Sequence, residues 1–179
     1  MSINLNSSLD LCLSVGGGLG ITKFYSMFRD RFGTDYNIGK IVNAVMPEQA
    51  QVYSTLLSTQ LGQPVIIAQT QLLELGYSKI AFSRWFSDVI GPTIEEIVFR
   101  GIVQKGLRGS LELAGCNEHA AIITAIIASS ILFGQAHDKD FCSDYFSTTM
   151  FSGIVLGALQ EYKGAHTSVI THILNNLLQ

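Results

Sequence analysis

The stretch EEIVFR, which runs from Glu95 to Arg100, sets two adjacent carboxylates and a guanidinium in an otherwise apolar part of the chain. Burying charge is costly unless the charge is paired, so this stretch predicts a site inside a packed helix. Glu96 and Arg100 are four residues apart with the acid first, the favourable order for an ion pair on a helix. Glu95 is turned from Glu96 by about 100° around the helix axis. When Glu96 pairs with Arg100, Glu95 is therefore expected to face a cavity.

Two further polar motifs follow the first. One runs from Phe133 to His137 (FGQAH) and the other from His172 to Asn176 (HILNN). Residues four apart share one face of a helix, so Phe133 is expected to pack against His137, and His172 to lie beside Asn176. In chain order the motifs read EExxxR, FxxxH and HxxxN.

Apolar residues recur at three and four positions rather than at two, which predicts an all-α fold. Short connections favour antiparallel neighbours, and along such a path Glu95, His137 and His172 fall in one layer of a helical bundle. The four core helices are expected at Asp88–Lys105, Glu118–His137, Tyr145–Gln160 and Ala165–Leu178.

Residues 1–87 are predicted to form accessory helices and residues 88–179 the motif-bearing core, with a soft boundary near Gly76 to Asp88 inside one domain. The glycines between Gly16 and Gly20 predict a flexible turn or a close helix contact, because no Lys-Ser or Lys-Thr follows at phosphate-loop spacing. Pro64 is expected to interrupt a helix that begins near Glu48.

Phe24, Met27 and Phe28 share a helical face that is predicted to point into the core. An amphipathic surface helix is the alternative.

The composition is apolar, with 47% hydrophobic and only 14% charged residues, against about 25% charged in an average soluble domain. The net charge is −3 and basic residues form no cluster, so we expect no nucleic-acid partner. Cys12, Cys116 and Cys142 fit neither a disulfide framework nor a zinc pattern. Three C-terminal segments lack Asp, Glu, Lys and Arg, which predicts an integral membrane protein, with a water-soluble relative as the alternative.

The residue types in the motifs suit hydrolysis of a peptide bond. A carboxylate in an apolar site can act as a general base, with a histidine beside it to hold a water molecule. A second histidine and an asparagine amide are suitable donors for a developing oxyanion. Such a set needs no covalent intermediate.

The three motifs in this order resemble those of the CAAX prenyl endopeptidase type II family, also called the ABI or CPBP family, over about Asp88 to Gln179. Members are largely intramembrane glutamate proteases. They cleave the last three residues from prenylated CAAX proteins, or act in bacteria on peptides, in bacteriocin self-immunity or as regulatory scaffolds. The resemblance therefore implies a membrane-bound endopeptidase with a peptide or lipidated protein substrate.

The resemblance also implies residue roles. Glu95 corresponds to the water-activating glutamate, with His137 as its partner, and His172 and Asn176 correspond to the oxyanion-stabilising pair. The residues that complete the motifs and orient the site are Glu96, Arg100 and Phe133.

Three alternatives stay open. Thr93 and Glu96 match a capping box at a helix start, which would make Glu96 a cap. We expect no cofactor, yet one Glu and two His could bind zinc, although the HExxH spacing is absent. The chain could also be a non-catalytic scaffold or an immunity-type protein that keeps the motifs as buried polar contacts.

Overall fold

The computed structural model describes residues 5–32, 37–74 and 84–178 of the chain. All regular secondary structure in these ranges is helical, which confirms the predicted all-α fold. The described residues form seven helices: α1 (Leu5–Phe32), α2 (Ile38–Val45), α3 (Glu48–Glu74), α4 (the consecutive stretches Phe86–Ile90, Gly91–Glu95, Glu96–Gln104 and Lys105–Leu113), α5 (Glu118–His137), α6 (Asp144–Lys163) and α7 (Ala165–Leu177).

Helix α4 carries the first motif and changes its winding along its length. Its stretches Phe86–Ile90 and Glu96–Gln104 are π-helical, whereas the remainder is α-helical. A π turn is wider than an α turn because each N–H bonds to the carbonyl five residues back, and such turns are frequent at functional sites. One of the three junctions between α and π winding falls between Glu95 and Glu96.

Helix α4 is also longer than predicted. It continues beyond the expected end at Lys105 to Leu113, so Gly106 and Gly109 lie inside the helix and not in a connection. The chain turns at Gly115, whose φ of 89° lies in the left-handed region, which glycine adopts with little strain.

The other core helices match their predicted positions closely. Helix α5 begins after Asn117, whose side chain accepts a hydrogen bond from the Ala120 N–H at 2.9 Å. Helix α6 begins after Ser143, which accepts in the same way from Phe146. These caps satisfy N–H groups that lack a partner within the helix. Helix α6 continues three residues beyond the predicted end at Gln160, as far as Lys163.

Helix α1 passes through the glycine cluster without a break, so a turn or a phosphate loop there is wrong. The predicted close contact is found at Gly18, where a Cβ would lie 2.8 Å from Leu159 and 3.1 Å from Thr171. Helix α1 consequently packs against α6 and α7.

Two other N-terminal predictions are wrong. Helix α3 runs continuously through Pro64. Phe24 and Met27 are exposed, so this face of α1 points outward, as in the alternative. The proposed boundary between accessory and core helices lies mostly on residues outside the described ranges.

The interior is unusually polar and the exterior unusually apolar. Gln104, Ser129 and Ser130 are fully buried between helices, while Ile97, Ile102 and many other large apolar side chains are exposed. Small polar residues between helices and an apolar exterior are typical of membrane proteins. Within the described residues, one helix, α5, has the length and composition needed to cross a membrane.

Candidate active site

Glu95 lies between two histidines. Its Oε2 atom is 3.7 Å from Nε2 of His137 and 3.7 Å from Nε2 of His172. Helices α4, α5 and α7 each supply one of these residues, so the three motifs meet in one layer, as the antiparallel path predicts. Glu95 and His137 are partly exposed, with 19% and 23% of their side chains accessible.

A cavity of about 300 Å³ opens beside Glu95, and we call it the carboxylate chamber. Its volume is within the range of small-ligand pockets. All four residues predicted to be catalytic line it. The complete lining is Ser87, Asp88, Glu95, Phe133, His137, Tyr145, Thr148, Thr149, Ser152, His172, Asn175 and Asn176.

Glu96 is buried and holds His172 in place. Its Oε1 is 3.0 Å from Nδ1 of His172, and the Ser168 hydroxyl donates to its other oxygen. Glu96 is therefore no helix cap. Thr93 lies within α4 and donates to the Val89 carbonyl, which makes the capping-box alternative wrong.

The hydrogen bonds on the far side of each ring determine which nitrogen faces Glu95. His172 donates through Nδ1 to Glu96, and His137 donates through Nδ1 to the Phe133 carbonyl at 2.9 Å. In neutral histidines the Nε2 atoms are then acceptors. Two ring nitrogens and one carboxylate oxygen thus converge without direct hydrogen bonds, because 3.7 Å exceeds hydrogen-bond length. Such a set of acceptors can share one donor, such as a water molecule.

Arg100 is completely buried beneath this arrangement. Its Nε lies 3.6 Å from Glu96 Oε2, a charge contact of the predicted i,i+4 pair. Its guanidinium carbon lies 4.7 Å from the centre of the Phe133 ring, a cation–π contact. None of its side-chain nitrogens has a hydrogen-bond partner among the described residues.

Phe133 connects the two histidines. Its ring centre is 4.6 Å from that of His137 and 5.6 Å from that of His172. The predicted packing of Phe133 against His137 is thus present. These ring contacts, together with the hydrogen bond that each imidazole makes through Nδ1, restrict the orientation of both histidine rings.

Asn176 lines the chamber one turn after His172, and its amide donates to the Ser87 carbonyl at 3.3 Å. This bond joins the end of α7 to the start of α4. The Asn176 amide is therefore held by the backbone of α4 in this structure.

The sequence model of the type II CAAX prenyl endopeptidase Rce1-like family matches residues 78–178. The chain belongs to this family. It is also similar to the membrane-embedded CAAX protease MroQ of Staphylococcus aureus (strain USA300), with 29% identity over 127 residues, which are 70% of this chain and 49% of that protein. The chain thus spans about half the length of this relative. No solved structure matches it significantly.

The Rce1-like match covers α4 to α7 and so includes every residue that the motifs single out. Sequence reasoning overlooked Ser168, Asn175 and Tyr145. Ser168 lies one turn before His172 and could have been found by helical spacing. Tyr145 stands at the start of α6, with its ring centre 6.3 Å from that of His137, and no motif marks it.

A short loop after His137 supports the end of α5. Asp138 accepts hydrogen bonds from the Ser143 hydroxyl and from the Asp140 N–H. The hydrogen bond from the Ser143 hydroxyl contributes most, and together the two bonds hold the pKa of Asp138 below its usual range.

Among the described residues, no group of three or more His, Cys, Asp or Glu side chains is arranged to hold a metal ion.

Proposed function

We propose that this chain is a membrane-embedded endopeptidase in which Glu95 activates a water molecule for attack on a peptide bond. The observation that carries the proposal is the convergence of Glu95, His137 and His172 on one position beside an open chamber. A purely structural polar network would leave no such space. A water molecule at this position would have its proton directed to Glu95 and its oxygen toward a bound carbonyl carbon.

The chemical steps follow from this arrangement. Glu95 accepts a proton from the water, the oxygen adds to the carbonyl carbon, and a tetrahedral oxyanion forms. The C–N bond then breaks, and the proton on Glu95 passes to the leaving nitrogen. His137 positions the water throughout, held by Phe133. No covalent intermediate forms with the protein.

His172 and Asn176 stabilise the oxyanion in this proposal. Donation from His172 Nε2 requires a proton on both ring nitrogens, since Nδ1 already donates to Glu96. Glu96, with Arg100 beside it, orients the ring. Asn176 supplies the second donor when its amide turns from Ser87 to the substrate.

The substrate class is a peptide or a lipidated protein, reached from within the membrane. Membership of the Rce1-like family and the similarity to a membrane-embedded CAAX protease support both parts of this statement. The exposed apolar side chains support the location independently.

The decisive test is Glu95→Gln, which keeps the volume of the side chain and removes the base. Purified in detergent, this variant is expected to lose proteolysis of a randomised peptide mixture, read by mass spectrometry, while its thermal unfolding is unchanged. Glu48→Gln, at an exposed glutamate in the first turn of α3, is the matched control and should stay active. Full activity of Glu95→Gln would refute the proposal.

A metal-dependent protease is the alternative that the residue types leave open, because zinc accepts glutamate and histidine ligands. Among the described residues, however, no group of three such side chains is arranged to hold a metal ion. Activity that is lost in a chelator and restored by zinc would replace the glutamate mechanism with a metal-dependent mechanism.

The scaffold alternative is tested in cells that lack the protein. Full complementation by Glu95→Gln, at normal abundance, would favour a scaffold or immunity role.

Asn176 tests the oxyanion step. Asn176→Ala is expected to lower kcat by about 10²–10³, the usual loss for one oxyanion donor. Asn175→Ala is the matched neighbour, since it lines the same chamber without that assigned role. Steady-state rates on one peptide compare the two, and equal losses would contradict the assignment.

A further inference from the structure

A second cavity, of about 580 Å³, lies between α1, α6 and α7. Its volume is within the range of about 300–1,000 Å³ that is usual for small-ligand pockets. Most of the residues that line it are polar, and neither Glu95 nor the two histidines beside Glu95 are among them. The cavity is therefore examined for a ligand of its own.

The charged side chains that line this cavity are basic. Lys23 and Arg29 line it, and no described aspartate or glutamate does. Arg29 already pairs with Asp30 and donates to the Asp144 carbonyl, which fixes α1 against α6. Lys23 is exposed, and no described residue forms an ion pair with it. The positive charge of Lys23 is consequently uncompensated and favours an anionic ligand.

Neutral hydrogen-bond donors line the same cavity. The Ser26 and Ser152 hydroxyls and the Asn175 amide are half-buried there, and none of the three has a hydrogen-bond partner among the described residues. Polar side chains inside a protein are normally hydrogen-bonded, so three free donors around one space indicate a ligand with several acceptors. A phosphate group combines several acceptor oxygens with the negative charge that Lys23 favours.

The cavity lies near the end of the bundle where α5 ends and α6 begins, since Arg29 reaches the Asp144 carbonyl there. Charge is costly in the hydrocarbon core of a membrane, so this charged end belongs at the level of the lipid head groups. Phe24 and Met27, one and four residues after Lys23, are 69% and 62% exposed. They offer an apolar surface beside the basic cavity.

We propose that this cavity binds the head-group phosphate of an anionic phospholipid, with Lys23 as its charge contact. Ser26, Ser152 and Asn175 donate to the phosphate oxygens, and Arg29 adds positive charge at a fixed place. The acyl chains lie outside, along the exposed apolar side chains of α1. Basic pockets between membrane helices bind lipid head groups in this way. The inference uses the membrane location in the proposed function but does not depend on proteolysis.

Native mass spectrometry of the protein in detergent measures the binding of single lipids. One molecule of dioleoylphosphatidylglycerol should bind about tenfold more tightly than the molecules that follow it, and about tenfold more tightly than dioleoylphosphatidylcholine, the scale of one charge-assisted contact. The choline group adds a cation for which the described lining has no acid. Equal affinity for the two lipids, or many equivalent sites for phosphatidylglycerol, would refute the proposal.

Glycerol 3-phosphate distinguishes a lipid from a soluble phosphate ester. It carries the phosphate without acyl chains and should bind far more weakly than phosphatidylglycerol, because the apolar contacts outside the cavity are missing. If it binds as tightly as the lipid, the site takes a soluble phosphate ester and the assignment to a lipid is wrong.

Variants link the preference to the cavity. Lys23→Gln should remove the tenfold preference for phosphatidylglycerol, and Lys23→Arg should keep it. Lys105→Gln, at an exposed lysine that does not line this cavity, is the matched control and should bind as wild type does. Thermal unfolding without lipid shows that each variant keeps its fold. A preference that survives in Lys23→Gln would overturn the assignment.

The same measurement separates this inference from proteolysis. Glu95→Gln should bind phosphatidylglycerol as wild type does, because Glu95 does not line this cavity. A preference that is lost on adding Lys23→Gln to Glu95→Gln supports the lipid site even if wild-type protein cleaves no peptide. A preference that this double variant retains refutes the lipid site even if wild-type protein is an active protease.

Discussion

At the scale of single residues, the pair Glu96 and Arg100 is the most costly feature of the site. Both side chains are almost completely buried, and Arg100 has no hydrogen-bond partner among the described residues. Two carboxylates and the face of Phe133 are the groups that offset its charge. A buried ion is tolerated only with such compensation, so each partner depends on the other.

This dependence gives a prediction for stability. Glu96→Gln removes the ion-pair partner of the buried Arg100 and should lower the free energy of unfolding by about 3–5 kcal/mol. Adding Arg100→Met removes the stranded charge and should restore most of that stability, but not activity, because His172 then lacks its carboxylate partner. Thermal unfolding in detergent and peptide cleavage measure the two effects. If the single and double variants unfold at the same temperature, the pair is not coupled as described.

The residue pattern indicated Glu95, His137 and His172 correctly as neighbours, because helical spacing and chain direction determine the layer of each. It did not indicate that Ser168 and His172 both form hydrogen bonds with the Glu96 carboxylate. It also did not indicate that the Asn176 amide bonds to the Ser87 carbonyl. Side-chain partners across helices depend on rotation about each helix axis, which the motifs alone do not specify.

At the scale of elements, α5 and α7 were predictable because a capping residue or a glycine marks each start. The length and winding of helix α4 were harder to predict. Its extension through Gly106 and Gly109 shows that glycine weakens a helix without ending it when neighbouring turns are held. Its π-helical winding leaves no trace in apolar periodicity, since it arises from a change of hydrogen-bond partner in the backbone.

Close packing of α5 against α6 gives a second prediction. A Cβ at Gly134 would lie 2.9 Å from the Phe146 ring and 3.1 Å from Met150 Cβ, so Gly134→Ala should destabilise by about 1–3 kcal/mol. Gly109, also inside a helix, has no atom within 4 Å of such a Cβ. Gly109→Ala should therefore stabilise by about 0.5–1 kcal/mol. Thermal unfolding compares them, and shifts of the same sign would contradict this packing.

At the scale of the whole molecule, many polar side chains of the described residues are buried among the apolar core, and many of their large apolar side chains are exposed. This distribution predicts that the protein stays in the membrane fraction after extraction at alkaline pH and is released by detergent. Exposed apolar side chains on α1, α3 and α4 would face lipid. Fractionation with immunodetection is the measurement, and a known peripheral protein in the same sample is the control. Release into the aqueous fraction would contradict membrane embedding.

The cavity of about 580 Å³ between α1, α6 and α7 is the part of the molecule that the sequence did not predict. Its wall depends on α1 approaching α6 and α7 at Gly18, a contact between residues far apart in the chain. The glycine cluster indicated a close approach but not its partner. The carboxylate chamber, by contrast, contains residues of all three motifs, with further lining residues from α4 and α6.

The family match begins at residue 78, so α1, which forms one wall of that larger cavity, lies outside it. The motif residues and this wall therefore belong to different parts of the chain. A chimera that joins the first helix of one relative to the matched region of another should keep the residues around Glu95 and change the shape of the cavity beside them.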